Sequence, residues 1–176
     1  MKIVFLGGQG SGKSTQAKLL AQKLKYPYFE MGELLRGKAK ENSEVGNNVK
    51  NALEKGNLVP NQITINILKE NTKNAHKGYV LDGFPRNATQ MAELDSDIAK
   101  VYYIKVSDEE AVRRLEKRKR SDDNEQALTK RLEIYHQQTE PLLKDFRQKG
   151  ILDEVNGERP IEEIHQDILN RVQDSI

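Results

Sequence analysis

Two hydrophobic patterns alternate along the chain. Short unbroken apolar runs are followed by segments whose apolar residues recur every three or four positions, so strands and helices take turns. Lys2–Leu6 is the first run, suited to a buried parallel strand. Ala17, Leu20, Ala21 and Leu24 then stripe a helix expected over Thr15–Lys25. Tyr26–Met31 is the second run, and Pro27 restricts the strand to beginning there. A helix is expected to open at Gly32–Arg36. Val45, Val49, Ala52 and Leu53 mark a further one ended by Gly56, and Ile63, Ile67 and Leu68 a third from Val59-Pro60 through Lys73. Residues 32–74 are therefore a helical excursion between strands. It is too long for an ordinary connection and reads as a small inserted subdomain.

The alternation then resumes. Gly78–Gly83 is a strand ending on an acid, Phe84–Arg86 a tight loop, and Asn87 the cap of a helix to about Leu94. Val101–Val106 is a β-branched and aromatic strand, and Ser107–Glu110 a capping box ahead of the next helix. That helix runs into the basic stretch Arg113–Arg120. Asp122, Asp123 and Asn124 cap a long helix striped by Leu128, Leu132, Tyr135, Thr139, Leu142 and Phe146, which Pro141 should kink. Ile151–Val155 is the last strand, and Pro160 starts a final helix striped by Ile161, Ile164, Ile168 and Val172. The expected fold class is α/β, with a five-stranded parallel sheet covered by helices on both faces. Ligands of such sheets bind beyond the carboxyl ends of the strands, which brings Gly7, Met31, Asp82 and Ser107 to one rim.

The chemistry begins between the first strand and the first helix. Gly7-Gly8-Gln9-Gly10-Ser11-Gly12-Lys13-Ser14-Thr15 fits G-x-x-x-x-G-K-[ST]. Its glycines let backbone N–H groups turn toward an anion, Lys13 reaches phosphates, and the Ser14 hydroxyl is a candidate Mg²⁺ ligand. Asp82, ending a buried strand opposite this loop, is the second candidate ligand for Mg²⁺. Arg36, Arg86, Arg118, Arg120 and Arg131 fall near loop or helix ends on the same side. Phosphoryl transfer needs positioning and positive charge rather than covalent chemistry, so this set suits it. Arg36 and Arg86 lie beside the inserted subdomain, which points to a second anionic substrate.

Composition narrows the class. The 176 residues suffice for one domain with a core. A net charge of +2 gives no global field for nucleic acid, and no apolar run approaches a membrane span. The chain has no Cys, which excludes disulfides and Cys-based zinc sites. A cytoplasmic monomer without signal peptide, nucleic-acid partner or membrane partner is expected.

These residues resemble adenylate kinase and its relatives among the nucleoside monophosphate kinases. The resemblance runs through Gly7–Lys13, Gly32–Arg36, Gly56–Pro60, Asp82–Arg86 with Gln90, Asp122–Glu125 with Lys130–Leu132, Tyr135–Pro141 and Gly150–Leu152. It implies a phosphate-loop three-layer fold and the reaction ATP + AMP ⇌ 2 ADP with Mg²⁺. It implies a core of residues 1–30, 61–113 and 124–176, a mobile monophosphate-binding subdomain of 31–60, and a very short lid of 114–123. By resemblance, Gly8, Gly10, Ser11, Gly12, Lys13, Ser14 and Thr15 hold the ATP phosphates. Arg114 stacks on the ATP base and Arg118 contacts its phosphates. Met31, Gly32, Arg36, Gly56, Leu58, Val59, Gly83, Phe84, Arg86 and Gln90 receive AMP, with Arg36 and Arg86 on its phosphate and Gln90 on its adenine. Lys13, Arg86, Arg120 and Arg131 are the catalytic set.

The chain also departs from the family pattern. Gln9 replaces a Pro, Ser14 a Gly, Met31 a Thr and Glu33 an Asp, and only Lys119 separates Arg118 from Arg120. A UMP/CMP kinase is the main alternative, favoured by Asn87 and the run Val59–Thr64 and opposed by Gln90. A nucleotide-binding module without turnover is a second alternative, opposed by the full set of Lys13, Asp82 and arginines.

Overall fold

The structure, a computed structural model, describes residues 1–118, 120 and 123–173. Strands β1 (Lys2–Leu6), β2 (Tyr28–Glu30), β3 (Tyr79–Asp82), β4 (Ile98–Lys105) and β5 (Leu152–Asn156) form one sheet. All pairings are parallel and the order is β2-β3-β1-β4-β5. The helices are α1 (Lys13–Leu24), α2 (Met31–Lys38), α3 (Glu44–Glu54), α4 (Asn61–Thr72), α5 (Ala88–Met91), α6 (Asp108–Lys117), α7 (Glu125–Ile134), α8 (Leu143–Gln148) and α9 (Ile161–Gln173).

The pleat of β1 divides the core in two. Ile3 and Phe5 face α1 and α9, where Ala17, Leu20, Ala21, Ile164, Ile168 and Val172 cover them. Val4 and Leu6 face the other way, onto Met31, Leu35, Val49, Leu68, Leu142 and Phe146. Both faces are thus apolar, which is why β1 reads as an unbroken hydrophobic run after Lys2. Each fully buried Leu, Ile or Phe contributes roughly 1.5–3 kcal/mol, and Phe5 adds a tilted ring contact to Tyr102 at 5.4 Å between centroids.

Several elements differ from the sequence reading. Met31 begins α2 rather than ending β2. The helix capped by Asn87 stops at Met91, short of Leu94. Ser107 Oγ does accept from the Glu110 N–H, at 3.4 Å, but Glu110 does not close the box. Glu158 takes that place, its Oε1 accepting from both N and Oγ of Ser107 at 2.8 Å, while Glu110 is drawn to Arg113 and Arg114. In α9, Ile161 is 50% exposed: this first-turn residue meets α1 through its carbonyl, which accepts from Gln16 Nε2 at 3.0 Å. Val45, in the first turn of α3, is also exposed.

The long helix is where periodicity misleads most. Tyr135–Thr139 is a π turn and Glu140–Leu142 a 3₁₀ turn, between α7 and α8. Pro141 has no N–H for the ladder, so the helix widens and tightens around it instead of bending at one point. The π turn holds one extra residue. The expected stripe survives at Thr139, the last residue of the π turn, and beyond it at Leu142 and Phe146, but before the turn it slips by one, to Ala127 and Ile134 in place of Leu128 and Tyr135. Asn124 caps α7 by accepting from the Ala127 N–H at 2.8 Å. The expected contribution of Asp122 to that cap lies outside the described residues.

Candidate active site

β1 ends at Leu6 and α1 begins at Lys13, so the glycine loop hangs over the carboxyl edge of the sheet. The strand order reverses here, since the chain crosses from β3 over β1 to β4. Gly10 has φ +80°, and a Cβ there would stand 2.5 Å from the Ala111 carbonyl oxygen. Only glycine lets α6 approach the loop this closely. Gly12 occupies the N-cap of α1 without a side chain to cap it, so the helix presents its first N–H groups and positive dipole end to the loop. Ser11 is buried inside the loop, its Oγ accepting from the Lys13 N–H at 3.4 Å. Lys13 Nζ donates to the Gly8 carbonyl at 3.2 Å. Its pKa is pushed down by desolvation; Asp82 opposes this, while Arg86 and Arg118 reinforce it.

Beside the loop, Ser14 Oγ donates to Asp82 Oδ2 at 2.5 Å. The other oxygen, Asp82 Oδ1, is buried with no hydrogen-bond partner among the described residues. A buried carboxylate oxygen left unmatched next to a hydroxyl is a donor set suited to a hard divalent cation, completed by phosphate oxygens and water. Tyr28 OH lies 3.3 Å from Asp82 Oδ2 and 3.2 Å from Glu30 Oε2. Burial and these two carboxylates push its pKa up, so it stays a hydroxyl and a donor.

One cleft of about 300 Å³ opens above these groups. Gly10, Gly12, Lys13, Ser14, Thr15 and Asp82 line it from the loop side, and Gly32, Arg36, Gly56, Leu58, Gly83 and Arg86 from the other. Arg114, Arg118, Arg120 and Arg131 form the remaining wall. Gly56 has φ +71°, and a Cβ there would collide with the Ala127 carbonyl oxygen, so this turn rests directly on α7. Met31, Val59 and Gln90 lie behind, lining a small cavity that shares Leu35, Leu58, Gly83 and Arg86 with the cleft. Phe84 is fully buried in the core beneath, and Gly8 holds Lys13 through its carbonyl. Ser107 stays at the rim as the cap of α6, outside the cleft.

The arginines are engaged by the protein's own acids and carbonyls. Arg36 Nη2 donates to Glu30 at 3.2 Å and to Glu33 at 2.6 Å. Arg120 Nη2 donates to Glu30 at 3.4 Å. Arg118 grips Asp123 with Nε and Nη2, both at 2.9 Å, and Arg131 reaches Asp123 at 3.0 Å and the Leu53 carbonyl at 2.9 Å. Arg86 Nε donates to the Gly83 carbonyl at 2.9 Å, and Thr139 Oγ1 ties the Arg86 carbonyl to the π turn at 2.8 Å. Arg114 lies along the loop, with Nη1 near the carbonyls of Ser11 and Gly10 and Nη2 on that of Gly157 at 2.9 Å. The lid expected at 114–123 includes Lys119, Ser121 and Asp122, which lie outside the described residues.

Sequence reasoning passed over Glu30, which faces two of these arginines. A signal was available, because Glu30 ends β2 in register with Asp82 at the end of β3. It also passed over Asn61 and Thr139, whose partners are distant in sequence and carry no local signature.

A phosphate loop at the switch point of a parallel sheet, facing arginines from several segments, defines a nucleotide-binding phosphotransferase. Comparison with known proteins narrows this. Residues 5–151 match the family model described as Adenylate kinase. The adenylate kinase of Trichodesmium erythraeum is 38% identical over 186 residues, covering 98% of this chain and 97% of that protein. Adenylate kinase 1 of Synechocystis is 39% identical, covering 92% and 91%. That of Thermobifida fusca is 36% identical, covering 94% and 95%. The chain belongs to the adenylate kinase family, which are ATP-dependent nucleoside monophosphate kinases.

Proposed function

We propose that the protein transfers the γ-phosphoryl group of ATP to AMP, giving two ADP, with Mg²⁺ as cofactor. The observation that carries this is the convergence of Lys13, Arg36, Arg86, Arg118, Arg120 and Arg131 on one cleft. A module that only bound nucleotide would not need cations on both sides of a phosphate.

ATP lies with its phosphates on the loop, cradled by backbone from Gly8 to Thr15 and by Lys13. Arg114 and Arg118 complete this side, with Arg114 also bracing the loop carbonyls. Ser14 and Asp82 hold Mg²⁺, which when bound neutralises phosphate charge. AMP lies in the opposite half, its phosphate on Arg36 and Arg86. Its adenine sits in the recess of Met31, Gly32, Gly56, Leu58, Val59, Gly83 and Gln90, floored by Phe84. An AMP phosphate oxygen attacks the γ-phosphorus as the bond to the β–γ bridging oxygen breaks, and ADP leaves. Lys13, Arg86, Arg120 and Arg131 balance charge on the transferring oxygens, which needs positioning and no covalent step on the protein. Residues 31–60 close over the two nucleotides, opposite Arg114 and Arg118.

The acceptor base is adenine. Gln90 keeps one amide hydrogen and one lone pair beyond its protein contacts, which suits an adenine edge. Asn87, the residue that favoured a pyrimidine acceptor, lines neither the cleft nor the recess behind it. Among the described residues no helix is long and apolar enough to cross a membrane. We read the protein as a cytoplasmic monomer. A coupled assay with AMP, CMP, UMP and GMP in turn tests the proposal. AMP should give the highest kcat/KM, and a higher value for CMP or UMP would refute it. A ligand joining two adenosines through five phosphates should bind far more tightly than ATP or AMP alone, because the second contact becomes intramolecular.

A further inference from the structure

Behind the acceptor recess, Asn61, Asn87 and Gln90 form a closed set of side-chain amides. Gln90 Oε1 accepts from the Arg86 backbone N–H at 2.9 Å, and Gln90 Nε2 donates to Asn61 Oδ1 at 3.1 Å. Asn87 Nδ2 donates to the same Asn61 oxygen at 2.9 Å, while Asn87 Oδ1 accepts from the Gln90 backbone N–H at 2.9 Å. Gln90 is 1% exposed.

Amide oxygens and nitrogens are alike in shape, so the sense of such a side chain must come from its partners. Here it does. A backbone N–H only donates. The N–H of Arg86 therefore requires oxygen at Gln90 Oε1, and the N–H of Gln90 requires oxygen at Asn87 Oδ1. Both remaining amide nitrogens then point at one atom of Asn61, which must be the oxygen. Turning Gln90 over would set its NH₂ against the Arg86 N–H and its oxygen against Asn61 Oδ1. Either mismatch leaves a buried polar pair unsatisfied.

We propose that Asn61 is a positioning residue for acceptor-base selection: it accepts from Gln90 Nε2 and so holds in place the amide whose donor–acceptor sense the Arg86 N–H sets. The inference rests on the reading that Gln90 meets adenine. With the sense locked, Gln90 offers one acceptor and one donor in a set order, which adenine matches through its amino group and ring nitrogen. Without Asn61 the amide keeps only its anchor on the Arg86 N–H, so its free hydrogen and lone pair are less well aimed and it discriminates less. Asn61 is the first residue of α4, after Pro60 at the N-cap, so the start of that helix sets the place of its amide.

The test is a double-mutant cycle on Asn61 and Gln90, followed by steady-state kinetics. Asn61→Leu removes the acceptor and should raise KM for AMP about tenfold, with kcat and the KM for ATP within about twofold. The preference for AMP over GMP and CMP should fall with it. Asn61→Asp keeps an acceptor oxygen and should restore most of the AMP affinity and preference. In a Gln90→Leu background, Asn61→Leu should add nothing. The inference is overturned if Asn61→Asp behaves like Asn61→Leu, if AMP and ATP constants move together, or if the two losses add fully. A failure of the adenine reading looks different: Gln90→Leu alone would then leave KM for AMP unchanged. Melting temperatures of each variant separate loss of fold from loss of selection.

Discussion

Glu30 sits between arginines from both sides of the cleft, so its charge is where the electrostatics can be tested. Its Oε1 accepts from Arg36 at 3.2 Å and from Arg120 at 3.4 Å, and its side chain is 15% exposed. Both guanidiniums are partly neutralised before any phosphate arrives. Glu30→Gln keeps the shape and an acceptor oxygen but removes the charge. Hydrogen bonds with a charged acceptor exceed neutral ones by about 1 kcal/mol. Both contacts lie at the long end of the range, so each is expected to lose about 0.5–1 kcal/mol. An AMP phosphate that replaces the carboxylate on Arg36 then has about 0.5–1 kcal/mol less to displace, and AMP should bind about 2- to 5-fold more tightly. The ligand-free protein should melt a few degrees lower, because it loses the same contacts. Calorimetric titration with AMP and with adenosine checks this at fixed salt. Adenosine has no phosphate, and its affinity should not change. Unchanged or weaker AMP binding would refute the reasoning, as would AMP and adenosine moving together. Weaker binding would show that Glu30 holds the arginines in place for the substrate instead of competing with it.

Two further predictions follow from the same geometry and from the surface. Lys13→Met should lower kcat roughly 10²-fold or more while weakening ATP binding less, because the ammonium acts on charge that develops during transfer; a variant with near wild-type kcat in the coupled assay would contradict this. His136 has its pKa raised above 6.5, first by its hydrogen bond with Glu140 and then by Asp108, against partial desolvation. Its folded-state pKa lies above its unfolded one, so its stabilisation is complete below about pH 6.5 and is lost as pH rises through the raised value. The melting temperature of the wild type should exceed that of His136→Gln at acidic pH, and the gap should close on the alkaline side.

Local signals in the sequence determined a large part of this protein. The alternation of apolar runs and stripes marked the strands, most plainly β1 and β3, because strands buried on both faces read as apolar runs. The loop Gly7–Thr15 was legible because its glycines, Lys13 and Ser14 act within a few residues of one another. Asp82 and the arginines were legible as chemistry at the ends of elements. Tertiary structure alone decided which groups meet. Glu30 reaches Arg120 across ninety positions of chain. Glu158, not Glu110, closes the cap at Ser107. Asn61 joins Asn87 and Gln90 from another helix. The π turn at Tyr135–Thr139 moved the buried stripe of α7 by one residue, a shift that helical periodicity has no means to register. In each case the partner was chosen by packing between segments far apart in sequence. A carboxylate or amide is satisfied by whichever donor the fold brings within reach, and that is a property of the folded chain rather than of its neighbours along it.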